Sequence, residues 1–154
     1  MSPGARTSKE PAPRYLLVDG HSVLHAWPEL KALHSHQPSA ARDKLIRLLS
    51  RLHDAGHWTI TLVFDGQKGG REERPRDSMA VLYASAGQTA DSVIERIVQA
   101  HSGKFEIGVV TADHAEMTAV ESFGAFGFSP QWLSNELAAS DIEMGENLSR
   151  KKLT

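Results

Sequence analysis

Four aspartates are the residues best placed to do chemistry in this sequence: Asp19, Asp65, Asp91 and Asp113. Three of them come at, or two residues after, the end of a short apolar run, and Asp91 falls in the first turn of a predicted helix. Each one alone is explained equally well as a turn former or as a partner of a helix dipole. If the four meet in space, their charges repel one another unless a cation lies among them.

The chemistry of these side chains indicates which cation that would be. Carboxylate oxygens are hard ligands, and the chain contains no cysteine to form a zinc–thiolate site, so Mg²⁺ or Mn²⁺ is favoured. An acidic site that holds such an ion suits phosphodiester hydrolysis, because the ion lowers the pKa of a bound water and stabilises the leaving oxygen. The sequence leaves open whether one ion or two are bound.

The elements that must position these aspartates alternate along the chain. Apolar runs predict strands, and helical spacing of apolar residues predicts helices between them. The predicted strands are 15–18, 59–64, 79–83, 107–111 and 125–128, and the predicted helices are 40–55, 89–101, 115–121 and 130–139. This alternation predicts an α/β fold, a three-layer α/β/α sandwich with a mostly parallel central sheet. Ligands of such sheets bind beyond the carboxyl ends of the strands, where the aspartates are expected.

Length and composition limit the remaining possibilities. The chain has 154 residues, 40% of them hydrophobic, which suits one folded domain at 14–140. Residues 1–13 are expected to be a disordered lead-in, and 141–154 a frayed tail. The net charge of −2 argues against a protein that coats nucleic acid by bulk charge. There is no apolar run long enough to span a bilayer and no signal-peptide pattern, so we expect a cytoplasmic protein with no membrane partner.

Two other classes of α/β protein fit the residues poorly. A phosphatase of the haloacid dehalogenase type needs an acid two residues after its first aspartate, and here that position is His21. A nucleotide-binding protein would carry a glycine-rich phosphate loop after the first strand, and this sequence has none.

Several stretches, in this order, resemble the YacP-like NYN domain family of the PIN-like nuclease superfamily. The stretches are LLVDGHSVLHAWPEL (16–30), AARDKLIRLL (40–49), TLVFDG (61–66), GQTADSVIERIV (87–98), VVTADHAE (109–116) and FGAFGFSPQWLSNEL (123–137). The resemblance implies a PIN-like/NYN fold and a metal-dependent endoribonuclease that hydrolyses RNA, in some members mRNA at the ribosome. It also places the acidic residues of the family on the same four aspartates.

The chain departs from the family pattern at two motifs. The family's first motif usually reads DGYN, whereas His21 and Ser22 follow Asp19-Gly20 here, and the later Thr-Ser-Asp appears as Thr111-Ala112-Asp113. These changes keep the candidate metal ligands and alter the residues around them, so activity is expected to be weaker or its specificity changed. The alternative is a catalytically weakened RNA- or ribosome-binding module of the same fold. The oligomeric state stays open.

Further residues are candidates for supporting the acids or contacting substrate. His21 could stack on a base, and Arg42 with Asp43 could position phosphate, although an exposed ion pair explains the latter two equally well. The candidates are Ser22, His21, Arg42, Asp43, Glu95 and Thr111, with a supporting role also conceivable for Glu116. The loop 66–78 could guide RNA through Lys68, Arg71, Arg74 and Arg76, or it could be only a solvated loop.

Overall fold

The computed structural model describes residues 14–66 and 79–153, with 142–153 described as backbone only. Strands and helices alternate along these residues, as the sequence predicts. In chain order they are β1 (Arg14–Asp19), α1 (Gly20–Ala26), α2 (Pro28–His36), α3 (Pro38–Asp54), β2 (Thr59–Phe64), β3 (Ala80–Tyr83), α4 (Ala90–His101), β4 (Glu106–Val110), α5 (His114–Ser122), β5 (Phe126–Phe128) and α6 (Pro130–Leu153).

The five described strands form one parallel sheet in the order β3-β2-β1-β4-β5. The central strand β1 pairs on both sides, with Leu17 opposite Thr61 of β2 and opposite Val109 of β4. All carboxyl ends therefore meet at one edge. The chain leaves β1 toward β2 on one side and later returns to β4 on the other, so a crevice for ligands is expected between the ends of β1 and β4.

Helices cover both faces of the sheet, which confirms the predicted three-layer sandwich. Alternate residues of β1 face opposite ways: Leu16 and Val18 pack beneath α1, α2, α3 and α6, whereas Leu17 packs beneath α4 and α5. Strands buried on both faces read as continuous apolar runs, which is the pattern that made them visible in the sequence.

The helices predicted at 40–55 and 89–101 both form, as α3 and α4. In α3 the leucines Leu45, Leu49 and Leu52 are buried on one stripe. In α4 Thr89 is the N-cap, and its hydroxyl accepts a hydrogen bond from the backbone N–H of Ser92 at 3.1 Å. This cap fixes the first turn of α4, in which Asp91 lies.

Three helices differ from the prediction. The helices α1 and α2 were not predicted, because α1 buries the adjacent residues Ser22, Val23 and Leu24 and α2 buries only Leu30, so neither shows an apolar stripe at helical spacing. The signals at their starts were nevertheless present: Asp19 caps α1, and Pro28 begins α2. The prediction that the last helix ends near 139 was wrong, because α6 continues to Leu153. Its added residues include good helix formers such as glutamate, methionine and lysine.

Some predictions fall outside the described residues. The lead-in 1–13 and almost all of the loop 66–78 do so, and the domain limits 14–140 and 141–154 stay predictions. Within the part of the chain that the structure describes, no helix combines the length and the apolar character needed to cross a membrane.

Candidate active site

Asp19 lies at the carboxyl end of the central strand and is held firmly in place. Its Oδ1 accepts hydrogen bonds from the backbone N–H of His21 at 3.1 Å and of Ser22 at 3.4 Å, and its Oδ2 accepts one from Ser22 Oγ at 3.3 Å. The side chain thus caps α1 and is only 4% exposed. A buried carboxylate with this many donors has a fixed orientation.

Three carboxyl groups converge at this edge of the sheet. Oxygens of Asp19, Asp91 and Glu116 lie within 4.8 Å of one another. Asp91 comes from the first turn of α4 and is half-buried, and Glu116 comes from the first turn of α5 and is 2% exposed. Neither carboxyl oxygen of Glu116 has a hydrogen-bond partner among the described residues. Buried oxygens without a hydrogen-bond donor are rare, and a proton on the carboxyl group or a bound cation would satisfy them.

The pKa values of Asp91 and Glu116 are raised because the acids are buried and lie close together. Burial, followed by the charge of Asp19, raises the pKa of Asp91 to about 6. Burial, with the charges of Asp19 and Asp91 adding to it, raises the pKa of Glu116 to about 9, while the nearby Thr111 hydroxyl acts in the opposite direction. Protons or a cation must therefore offset the negative charge of the group.

The donor set of this acidic group fits a divalent cation of the hard class. Each of the three residues offers one carboxyl oxygen as a ligand atom, and neither oxygen of Glu116 has a hydrogen-bond partner among the described residues. Such oxygen-only sites suit Mg²⁺ or Mn²⁺ better than the softer transition metals. We call Asp19, Asp91 and Glu116 the acidic triad.

A hydroxyl network joins the two chain segments that carry Asp19 and Glu116. Ser22 Oγ lies 3.4 Å from Thr111 Oγ1 and accepts a hydrogen bond from the Ala112 N–H at 3.0 Å. Thr111 Oγ1 in turn accepts one from the Asp113 N–H at 3.0 Å. Both hydroxyl residues are buried, so they tie the start of α1 to the end of β4.

The structure places the other two predicted aspartates beside the triad and not within it. Asp113 is exposed and caps α5, with Oδ1 accepting from the N–H groups of Ala115 at 2.8 Å and Glu116 at 3.3 Å. Its charge still raises the pKa of Asp91. Asp65 is also exposed, and its Oδ1 accepts from the Ala90 N–H at 3.0 Å, which holds the start of α4.

Glu116 is the residue whose place the sequence reasoning underestimated. Asp113 and Glu116 have the spacing of a capping box, in which the glutamate returns to bond the backbone N–H of the capping residue. Here that N–H donates to Thr111 Oγ1 instead, so the Glu116 side chain is not needed there and enters the triad. The position of the Thr111 hydroxyl in the structure distinguishes the two cases, and the sequence alone does not show it.

The remaining predicted residues lie around this edge or outside the described residues. His21 is exposed and Arg42 is half-buried, and both line a cavity together with Asp65. Asp43 is exposed on α3, and Glu95 is half-buried on α4, one turn after Asp91. The predicted RNA-binding residues of the loop lie outside the described residues, namely Lys68, Arg71, Arg74 and Arg76.

A comparison with family models matches residues 16–154 to the YacP-like NYN domain. The chain belongs to the YacP-like NYN domain family. Among curated proteins it is 32% identical, over 125 residues, to the uncharacterized protein YacP of Bacillus subtilis, covering 79% of this chain and 74% of that protein.

Solved structures of the same relative share the fold. The crystal structure of Rae1 (YacP) from Bacillus subtilis matches with a TM-score of 0.76 at 29% identity, covering 88% of this chain and 80% of that one. A tryptophan-to-leucine mutant of Rae1 matches with a TM-score of 0.77 at 28% identity, covering 90% and 82%. Membership of this NYN family, with its PIN-like nuclease fold, supports a nuclease-type function on RNA, and a cluster of acidic residues is present.

Proposed function

We propose that the chain is a divalent-metal-dependent endoribonuclease that hydrolyses RNA phosphodiester bonds. The observation that carries this proposal is the acidic triad, in which two buried oxygens of Glu116 lack partners at the crevice between β1 and β4. Buried carboxyl groups without a compensating charge lower the free energy of unfolding, and a bound cation would offset their negative charge.

The chain's own side chains would share the work as follows. Asp19, Asp91 and Glu116 would hold Mg²⁺ or Mn²⁺, with Asp113 and Asp65 beside them. A divalent ion supplies a water of lowered pKa and positive charge opposite the scissile phosphate. Asp19 keeps its orientation through its bonds to the start of α1, and Asp113 uses only Oδ1 for capping, so Oδ2 is not engaged in the cap.

The substrate and setting in this proposal follow from the resemblance to the family. Hydrolysis by an activated water would leave 5′-phosphate and 3′-hydroxyl ends. We propose single-stranded mRNA as the substrate class, with action in the cytoplasm and in association with the ribosome. The exposed edge at His21, Asp65 and Asp113 supports access by a single strand.

The test is an RNA cleavage assay with matched variants. Purified protein is incubated with single-stranded RNA and Mn²⁺ or Mg²⁺, beside Asp19→Asn and Glu116→Gln. Exposed acids away from the triad serve as controls: Asp54→Asn at the end of α3 and Glu121→Gln later in α5. We expect cleavage to require the metal, to fall at least about a hundredfold in the triad variants, and to persist in the controls. Equal cleavage by all variants would show that the activity belongs to a contaminant.

The second candidate is an RNA- or ribosome-binding module with weak turnover. The observation in its favour is that the Ser22 hydroxyl is buried in contacts with Asp19, Thr111 and the backbone of Ala112, so it is not presented to substrate. The binding module predicts RNA association that survives chelation of the metal. Replacing Ser22→Asn, the usual family residue, would raise cleavage if the chain is a weakened enzyme and would leave it absent if the chain only binds.

A further inference from the structure

A cavity of about 180 Å³ lies on the side of α1, α2 and α3, at the end of β2. Its lining includes His21, His34, Arg42, Phe64 and Asp65. Two contacts place it beside the triad. The backbone N–H of His21 donates to Asp19, and Asp65 accepts from the N–H of Ala90, the residue before Asp91.

Three imidazole rings form a row, and the two outer ones, His21 and His34, line the cavity. His21 and His25 lie one turn apart on α1 with ring centroids 4.1 Å apart, and His34 of α2 follows at 5.1 Å from His25. Burial first, and then the charges of His25 and Arg42, lowers the pKa of His34. His34 is therefore a neutral ring at pH 7, which suits stacking on a base. Among the described residues the ligand atoms of these histidines do not converge on one point as the triad's do.

Arg42 supplies the positive charge of the cavity. Its guanidinium donates to Ser39 Oγ at 3.1 Å, and it forms no salt bridge with any carboxylate in residues 14–66 and 79–141. Asp65 lines the same cavity but forms no salt bridge with Arg42. A half-buried guanidinium with unused donors is suited to the oxygens of a phosphate, which it can bind through two parallel hydrogen bonds.

We infer that this cavity is the subsite for the nucleotide next to the scissile phosphate, with the base stacked on the imidazole of His34 and the phosphate bound by Arg42. The inference rests on the proposed action on RNA. The volume of the cavity, about 180 Å³, limits the subsite to a single nucleotide, with its base against His34 and its phosphate at Arg42. The neighbouring Asp65 carboxylate disfavours a second phosphate beside it.

The experiment measures RNA binding in a chain that cannot cleave. The background is full-length protein carrying Asp19→Asn, and the probe is a short fluorescein-labelled single-stranded RNA followed by fluorescence anisotropy. We expect Arg42→Gln to raise Kd about tenfold or more, because a charged contact to phosphate is lost. His34→Ala should raise it about fivefold or more, and His34→Phe should restore most of the affinity, because the ring remains available for stacking.

Matched controls come from the same two helices. His36→Ala on α2 and Arg47→Gln on α3 remove the same side-chain types at exposed positions outside the cavity, and both should bind as the background does. Circular dichroism melting of every variant verifies folding. If the Kd values of Arg42→Gln and His34→Ala for RNA equal those of the controls, or if the background chain binds no RNA, the proposed subsite is wrong.

The cleavage assay keeps this result separate from the proposed function. In the active chain, Arg42→Gln should raise KM more than it lowers kcat. Cleavage by the parent chain with unchanged KM in both cavity variants would overturn the subsite and leave the endoribonuclease proposal standing. If the parent chain does not cleave RNA but both variants bind RNA more weakly, the nucleotide subsite is supported and the endoribonuclease proposal is overturned.

Discussion

The carboxyl group of Glu116 combines deep burial with two neighbouring acids, and its pKa of about 9 has a consequence for stability. In the metal-free folded chain it keeps a proton that the unfolded chain releases near the usual value of 4.5. Glu116 therefore does not lower the free energy of unfolding of the metal-free protein below about pH 4.5, and it lowers it increasingly as the pH rises toward 9. A buried group whose pKa is raised in this way costs stability at neutral pH.

Glu116→Gln should therefore stabilise the metal-free protein while abolishing activity. The amide carries no charge at any pH, so the free energy of unfolding should rise at pH 8 by up to about 5 kcal/mol, since each pH unit above 4.5 costs the parent protein about 1.4 kcal/mol while Glu116 stays protonated in the folded state. At pH 4 the gain should vanish. Urea unfolding with a chelator present measures both values. The exposed Glu121→Gln is the control, and an equal effect of the two variants would contradict the role of burial.

Asp113 has two roles that different substitutions should separate. Its side chain caps α5 through two backbone N–H groups, so Asp113→Ala should lower the free energy of unfolding by about 1 kcal/mol. Asp113→Asn keeps a capping oxygen and should keep most of this stability. If the residue also contributes to the metal site, both variants should bind Mn²⁺ more weakly than the parent. Metal affinity retained by Asp113→Asn would restrict Asp113 to capping.

Residue types and spacing predicted part of this site. Asp19 was recognisable because it ends a buried strand, and the carboxyl ends of parallel strands meet at one edge of the sheet. Asp91 was recognisable because Thr89 marks the start of its helix. The place of Glu116 was not, because its spacing from Asp113 has an ordinary meaning as a capping box. Only the position of the Thr111 hydroxyl, a three-dimensional fact, redirects the glutamate.

At the scale of elements, the strands and the long helices were predictable, whereas the segment after β1 was not. The helix α1 begins directly after Asp19, and Gly20 allows it to pass very close to β2. A Cβ atom at Gly20 would lie 2.5 Å from two ring carbons of Phe64 and 3.2 Å from the carbonyl oxygen of Val63. No apolar period could have revealed this contact, which depends on the pairing of β1 with β2.

Gly20→Ala should therefore disturb the site through the backbone. The added methyl must push α1 away from β2, and overpacking of this kind costs about 1–3 kcal/mol of folding free energy. Because Asp19 is held by the first N–H groups of α1, Mn²⁺ affinity should fall as well. Thermal unfolding and metal titration measure the two effects. The double variant Gly20→Ala, Phe64→Leu should recover part of both, and an unperturbed single variant would show that the contact relaxes freely.

At the scale of the whole molecule, the sheet order explains why residues far apart in the sequence share one site. With β1 between β2 and β4, the segments that carry Asp19 and Glu116 leave neighbouring strands at the same edge, and α4 brings Asp91 to them from one face. The alternation of strands and helices predicted this architecture. It could not give the strand order itself, which decides that β4, rather than β3, lies beside β1.

Because the whole fold concentrates acids at one point, metal binding should be strongly coupled to pH. A cation must displace the proton of Glu116 at any pH below about 9, and below about 6 also that of Asp91. The apparent affinity for Mn²⁺ should therefore rise about tenfold for each pH unit between roughly 6.5 and 8.5, and more steeply below 6, since each bound ion releases about one and then two protons.

Calorimetric titration in two buffers with different ionisation enthalpies measures the number of protons released. Glu116→Gln offers a sharp internal comparison, because it removes the group that titrates in the upper range while leaving Asp19 and Asp91 in place. In that variant Mn²⁺ should bind more weakly, and the dependence between pH 6.5 and 8.5 should become nearly flat. A parent protein whose Mn²⁺ affinity does not change with pH would mean that the ion binds away from the acidic triad, and the triad would then lose its role as the metal site.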